Sequence, residues 1–322
     1  MNDWERIVAA SQEGIYESNY LKANSPDGRR GLWIKHNLLR PRSGLAKAEI
    51  WAIAFELGRL PRVVKREVPW EALALDAHQI DFRAGSVSLT PNRAQGSVGE
   101  ARWDLALTGG LPPLHHLGHP WMYTGRFPKK KLLTPAPNLR FQGEFHWGAE
   151  RWEVERWIGL RGHNWGTEHA WTYAYGNCSA WDDGSARTFD GFSAKIRLGG
   201  RPTPWLSGLV GWGPEVRRNR LRHALARCEV MLDRWSLRSG PVRLEMTADP
   251  ATYVGLRYAH PDGRESYCYN TKFASVSYEV DGQRYTSRQG ELEVLLPEPA
   301  AGIPLHPTAD WDAGGGDYAS TP

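Results

Sequence analysis

The densest grouping of chemically versatile side chains in this 322-residue chain lies between Trp157 and Asp190. There His163, Asn164, Trp165, Glu168 and His169 can donate, accept or transfer a proton within a handful of residues. Directly after them Trp171, Tyr173 and Tyr175 alternate with Thr172 and Ala174, which in an extended chain sets the three rings on one face. An apolar wall beside a few convergent polar groups is the ordinary make-up of a small-molecule site. The chemistry it supports is proton transfer, and Glu168, the only carboxylate between Glu155 and Asp182, is the acid nearest to the wall. An unbroken strand would put Glu168 opposite Trp171, so both serve one pocket only if the chain bends near Gly166. Glu17, Asp182, Asp183 and Asp190 are rival acids, though Asp-Gly turns and strand ends attract carboxylates for structural reasons. The aromatic stripe also fits the plain core of a filled sheet.

Period-two alternation governs the segments that must position these groups. In Glu49–Leu57 it places Trp51, Ile53, Phe55 and Leu57 on one face, and similar runs surround Trp103, Trp152, Phe192 and Val242. Asp27-Gly28, Asp183-Gly184, Asp262-Gly263 and Asp281-Gly282 supply hairpin turns between them. Helix is expected only in short pieces, at Trp4–Ala10 and within Glu215–Asp233, where His223–Leu232 reads equally well as a strand. Gly109–Pro137, with its prolines, histidines and lysines, reads as an irregular loop, and the Pro- and Gly-rich stretch from Pro297 as a mobile tail. A β chain of this length hides its strand edges by closing or stacking sheets, so two barrels fit best.

Composition narrows the function classes. Forty basic against 36 acidic residues give a net charge of +4, too small to argue for nucleic acid. No apolar run approaches the roughly 20 residues of a membrane-spanning helix, and the first ten residues lack signal-peptide features, so a cytoplasmic location is expected. The three cysteines are scattered, without a CxxC pair, which supports neither a disulfide framework nor a thiolate zinc site. His115, His116 and His119 lack a carboxylate at ligand spacing, so no metal is expected. Walker loops, dinucleotide fingerprints and nucleophile elbows are absent. Lys272, in Asn270-Thr271-Lys272, reads as a barrel-mouth or solvated strand lysine, and the arginines between Arg217 and Arg227 as a solvated face or an anion-holding one. Sixteen tryptophans are the outlying feature and call for wide sheets or an aromatic cavity.

Three blocks carry a family resemblance. Gly162-His163-Asn164-Trp165-Gly166 with the aromatic strand after it, Tyr16-Glu17-Ser18-Asn19-Tyr20-Leu21-Lys22, and Leu256–Val276 resemble segments of the two-domain lipocalin-like (calycin) family that includes carotenoid 1,2-hydratase and tocopherol cyclase. The resemblance implies an all-β fold of two tandem lipocalin-like antiparallel barrels, here residues 1–160 and 161–300, followed by a tail over 301–322. It also implies chemistry that adds water or a phenol to an isoprenoid double bond without a cofactor. Protonating an alkene requires a carboxylic acid kept neutral near pH 7 by apolar surroundings. Glu168 is the expected acid, with His163 and Asn164 orienting it or the water. Trp165, His169, Trp171, Tyr173 and Tyr175 would hold the substrate, and Glu17 and Asp190 are the alternative acids. A non-catalytic carrier of the same hydrophobic ligand, with peripheral membrane contact, is the second functional reading.

Overall fold

The computed structural model describes residues 6–212, 221–260 and 263–306. Nearly every described segment of regular structure is β, in a nearly closed barrel sheet and a curled half-barrel sheet. The first sheet runs, by neighbouring strands, 62–69, 47–56, 30–40, 15–24, 150–166, 130–147, 101–109, and on through four shorter strands to 73–75. The second runs 206–212, 188–195, 172–178, 283–296, 265–280, 242–247, 234–239, 227–230, with 254–259 paired to 265–280. The chain passes from one sheet to the other between Gly166 and Thr172. Among the described residues no helix is long and apolar enough to cross a membrane.

Three apolar clusters follow from how the sheets are covered. One fills the first sheet's interior around Ile50, Trp103, Phe141 and Trp152, and a second fills the other sheet around Phe189, Trp235 and Met246. The third takes residues from both sheets, among them Trp33, Trp51, Phe55, Tyr173, Tyr175 and Leu295. Lys47–Glu56 therefore has two buried faces: Ile50 and Ala52 point into the barrel, and Trp51, Ile53 and Phe55 point to the other sheet. Leu57 lies beyond the strand and is exposed, so it leaves the face that alternation assigned to it.

Several segments depart from the sequence reading. Lys130–Trp147 is a strand, not the end of a loop. Its register slips between Leu133 and Ala136 and again between Pro137 and Leu139, so Pro135 and Pro137 sit where the ladder is already broken. Val8–Ala10 forms one 3-10 turn. Between Leu221 and Val230 a helical turn, Leu221–Ala224, precedes a short strand, Arg227–Val230, while residues 215–220 of that candidate helix lie outside the described residues. Of the expected tail, Leu305–His306 pairs in parallel with Gly255–Leu256, and 307–322 lie outside the described residues. The Asp281-Gly282 turn takes positive φ at both residues, 53° and 77°, as a tight two-residue hairpin requires.

Candidate active site

Antiparallel pairing decides which side chains meet. The strand Ile15–Asn24 sets Tyr16 opposite Gly166, Ser18 opposite Asn164 and Tyr20 opposite Gly162. These face the second sheet, whereas His163 and Trp165 face the interior of the first, as does the Glu17 carboxylate bonded to His163, although Glu17 also borders the cavity described below. His163 and Asn164, adjacent in sequence, thus serve opposite sides. Gly162 is required here, because a Cβ on it would lie 2.1 Å from Cζ of Tyr20, whose ring covers the strand. We expect Gly162→Ala to cost about 1–3 kcal/mol, the range for overpacking a well-filled site, in a denaturant titration. An unchanged midpoint would mean that the Tyr20 ring moves aside freely.

Between the sheets lies a cavity of about 580 Å³. Strand 30–40 contributes Trp33, Lys35 and Asn37 to its wall, and strand 172–178 contributes Tyr173 and Tyr175. The opposite face of strand 172–178 sends Ala174 and Cys178 into the second core. Phe192, Glu293 and Tyr258 complete this side, and Lys130, Leu132, Asn164 and His169 come from the segments around the sheet junction. Tyr173 and Tyr175 are where the aromatic strand was expected to place them.

The other expected site residues divide. Asn164 and His169 border the cavity. His169 stacks on Tyr16 with ring centroids 3.7 Å apart. Burial, reinforced by Lys130, His260 and Lys35, holds its pKa well below the usual histidine value, so the ring is neutral. Trp165 instead packs in the first core, 4.4 Å from His163 and 6.0 Å from Tyr123 between ring centroids, because alternation turns it inward. His163 is bonded to Glu17 at 2.7 Å. Glu17 also accepts from the backbone of Val8 and Ala9 and from Asn19, so its carboxylate anchors the 3-10 turn. Trp171 precedes the strand's first residue and lies under the Arg197 guanidinium, 5.4 Å from the ring centroid, outside the cavity wall. Glu168 lies outside it too, ion-paired with Lys129 at 2.5 Å and Arg264 at 3.3 Å.

Asp190, one of the rival acids, lies behind Tyr175, off the cavity wall. It is 1% exposed, lies opposite Asn177 in the ladder, and one of its oxygens, Oδ2, accepts from Thr134 and, at 3.2 Å, from Tyr175. His116 Nε2 is 3.6 Å from the same oxygen and 3.2 Å from the Thr134 hydroxyl. Oδ1 has no hydrogen-bond partner among the described residues. Tyr20 donates to the Tyr175 hydroxyl at 3.2 Å, and burial raises the pKa of both phenols well above the ordinary value, so both keep their protons.

Behind this wall the two sheets are joined by a buried polar cluster that sequence reasoning missed. Lys272 is fully buried, ion-paired with Glu291, 2.7 Å from Asn270 Oδ1 and 4.4 Å above the Trp33 ring of the other sheet. Asn24 donates to the Lys272 carbonyl at 2.8 Å, and Lys22 to Asn177 at 3.1 Å. Asn177 and Asn270 donate to Glu291 at 2.6 and 2.8 Å, and Asn270 also to Glu293 at 2.8 Å. The available signal is spacing: Trp33/Lys35/Asn37, Asn270/Lys272 and Glu291/Glu293 are polar or mixed residues two apart within strands, so each set shares one face.

No protein-family model matches the chain, and no curated protein matches it significantly. Solved structures do share its fold. Kievitone hydratase from Nectria haematococca is 9% identical with a TM-score of 0.54, over 92% of this chain and 94% of that one. CghA in complex with Sch210972 is 10% identical with a TM-score of 0.56, over 88% of both chains. A candidate AttH from Nitrosomonas europaea is 12% identical with a TM-score of 0.54, over 88% of this chain and 92% of that one. At such identities the likeness concerns the fold alone. Membership of the carotenoid hydratase and tocopherol cyclase family finds no separate support in these comparisons.

Proposed function

We propose that the chain is a cofactor-independent enzyme that transfers a proton to an unsaturated, apolar isoprenoid- or polyketide-like molecule in the cavity between the sheets, bringing about hydration, cyclisation or isomerisation. The observation that carries this reading is the buried Asp190–His116 pair behind a wall of aromatic rings. Asp190 has no lysine or arginine ion pair among the described residues, and its Oδ1 is unpartnered. A buried carboxylate beside an imidazole, with one oxygen left without a partner, brings together the residue types that hold and pass a proton. The Tyr175 hydroxyl touches both Asp190 and the cavity, and His116 also borders the cavity; either can hand the proton on. The π face of Tyr175 suits the resulting carbocation, such a contact being worth about 2 kcal/mol once desolvated. The acid role thereby passes from Glu168 to Asp190, and Asn164 and His169 remain as wall groups that can place a water. The hydratase among the proteins of this fold supports the reading without deciding it.

Deuterium labelling tests it. Incubated in D2O with a panel of prenylated phenols and linear polyenes, the protein should introduce one carbon-bound deuterium into at least one of them, read by mass spectrometry. Saturable binding without any labelled product would instead identify a carrier.

A further inference from the structure

The cavity wall holds two lysines, Lys35 and Lys130, that close no ion pair among the described residues. Lys35 is buried, donates to the Tyr258 hydroxyl, and places Nζ 4.4 Å from the centroid of the Trp33 ring and 4.0 Å from that of Tyr258. Lys130 places Nζ 4.0 Å from the centroid of the Tyr173 ring. Both border the cavity, and among the described residues neither forms an ion pair with a carboxylate. Two wall carboxyls lie near this region, and the charge of Glu293 acts on both lysines, but neither carboxyl closes on either of these ammonium groups among the described residues. Glu49 is paired with Lys65 at 2.9 Å and Lys47 at 3.3 Å, and Glu293 accepts from Tyr173 and from Asn270. His169, which also borders the cavity, is neutral, and its Nδ1 has no hydrogen-bond partner among the described residues. Aromatic faces attract an ammonium but offer it no hydrogen-bond acceptor, and apart from the Tyr258 hydroxyl on Lys35 neither ammonium has a side-chain acceptor among the described residues, an incomplete arrangement for two cations in one cavity.

We propose that Lys35 and Lys130 hold the anionic head, a delocalised oxyanion such as a carboxylate or acidic enolate, of an otherwise apolar substrate, with Tyr258 and His169 beside it. This names the substrate class of the site proposed above and rests on that reading. An amphiphile bound this way directs its anionic end to the lysines and its hydrocarbon toward Tyr175 and Asp190. Burial holds the Lys130 pKa down at about 8 and lowers that of Lys35. The free site therefore loses positive charge as pH rises above 8, and anion binding weakens with it.

Dodecanoate, methyl dodecanoate and dodecanol serve as probes, titrated calorimetrically against the full chain. At pH 7 dodecanoate should bind at least 30-fold more tightly than the ester or the alcohol, and this preference should shrink about tenfold or more at pH 9.5. In Lys35→Met/Lys130→Met the preference should vanish while ester affinity stays within threefold. The pH series on the unaltered protein keeps the test decisive if the double variant does not fold. Equal affinity for acid and ester, or a preference that survives the double substitution, overturns the inference and leaves the proposed function standing. Absence of binding by all three probes overturns both.

Discussion

Asp190→Asn is expected to lower deuterium incorporation by about 100-fold or more, the scale on which general acid catalysis is lost. Asn has nearly the shape of Asp and still accepts from Thr134 and Tyr175, but it carries no transferable proton. Affinity for apolar probes should change little, since Asp190 lies behind Tyr175 and not on the cavity wall. Glu168→Gln is the matched control and should turn over normally, because that carboxylate is bound to Lys129 and Arg264 away from the cavity. His116→Gln should share the defect, and the double variant should be no worse than the poorer single one, as expected for residues that act as a unit. Normal labelling by Asp190→Asn would show that the acid is elsewhere. A loss confined to Glu168→Gln would restore the acid first expected from the sequence.

The contrast between Glu168 and Asp190 shows what was legible in the chain and what was not. Alternation and Asp-Gly turns identify strands and hairpins, and those local signals survive folding: Trp51, Ile53 and Phe55 do share a face, and Asp281-Gly282 does close a hairpin. Tyr173 and Tyr175 are found on the cavity for the same reason. Nearness in sequence did not put Glu168 on the cavity wall, because the bend at the sheet junction carries it toward Lys129 and Arg264. Asp190 reaches His116 only through pairing of strand 188–195 with strand 172–178 and packing against the other sheet, contacts that span 56 residues in the case of Thr134. The prolines of Gly109–Pro137 concealed a strand because a bulge tolerates residues that a regular ladder rejects. Lys272 was misread because a lysine within a strand is usually solvated, and nothing local indicates that a second sheet will cover it.

Lys272 and Glu291 set up the largest expected effect on stability. Glu291→Gln should destabilise the fold by about 3–5 kcal/mol in denaturant titrations, the usual consequence of removing one partner of a buried ion pair. Glu291 takes the Lys272 ammonium and the amides of Asn177 and Asn270 on its two oxygens. A glutamine offers one oxygen, so its own NH2 must point at a donor, and Lys272 loses the charge that balances it. The exposed Lys129–Glu168 pair gives the comparison: Glu168→Gln should cost no more than about 1 kcal/mol, because solvent screens it. The acid side of the stability profile should respond too. Burial pushes the Glu291 pKa up, but Lys272, Lys22 and Asn270 outweigh it and hold it below the ordinary carboxylate value. A carboxyl depressed in this way stabilises the fold above its unfolded pKa, and the contribution is lost as pH falls through the folded value. The unaltered protein should therefore lose stability more steeply in acid than Glu291→Gln, and equal slopes would show that Glu291 is not ionised. Lys272→Met/Glu291→Leu should recover part of the loss by removing both charges. Recovery stays incomplete because the amides of Asn177 and Asn270 still face the vacated position, and each unpaired buried donor costs about 1–3 kcal/mol.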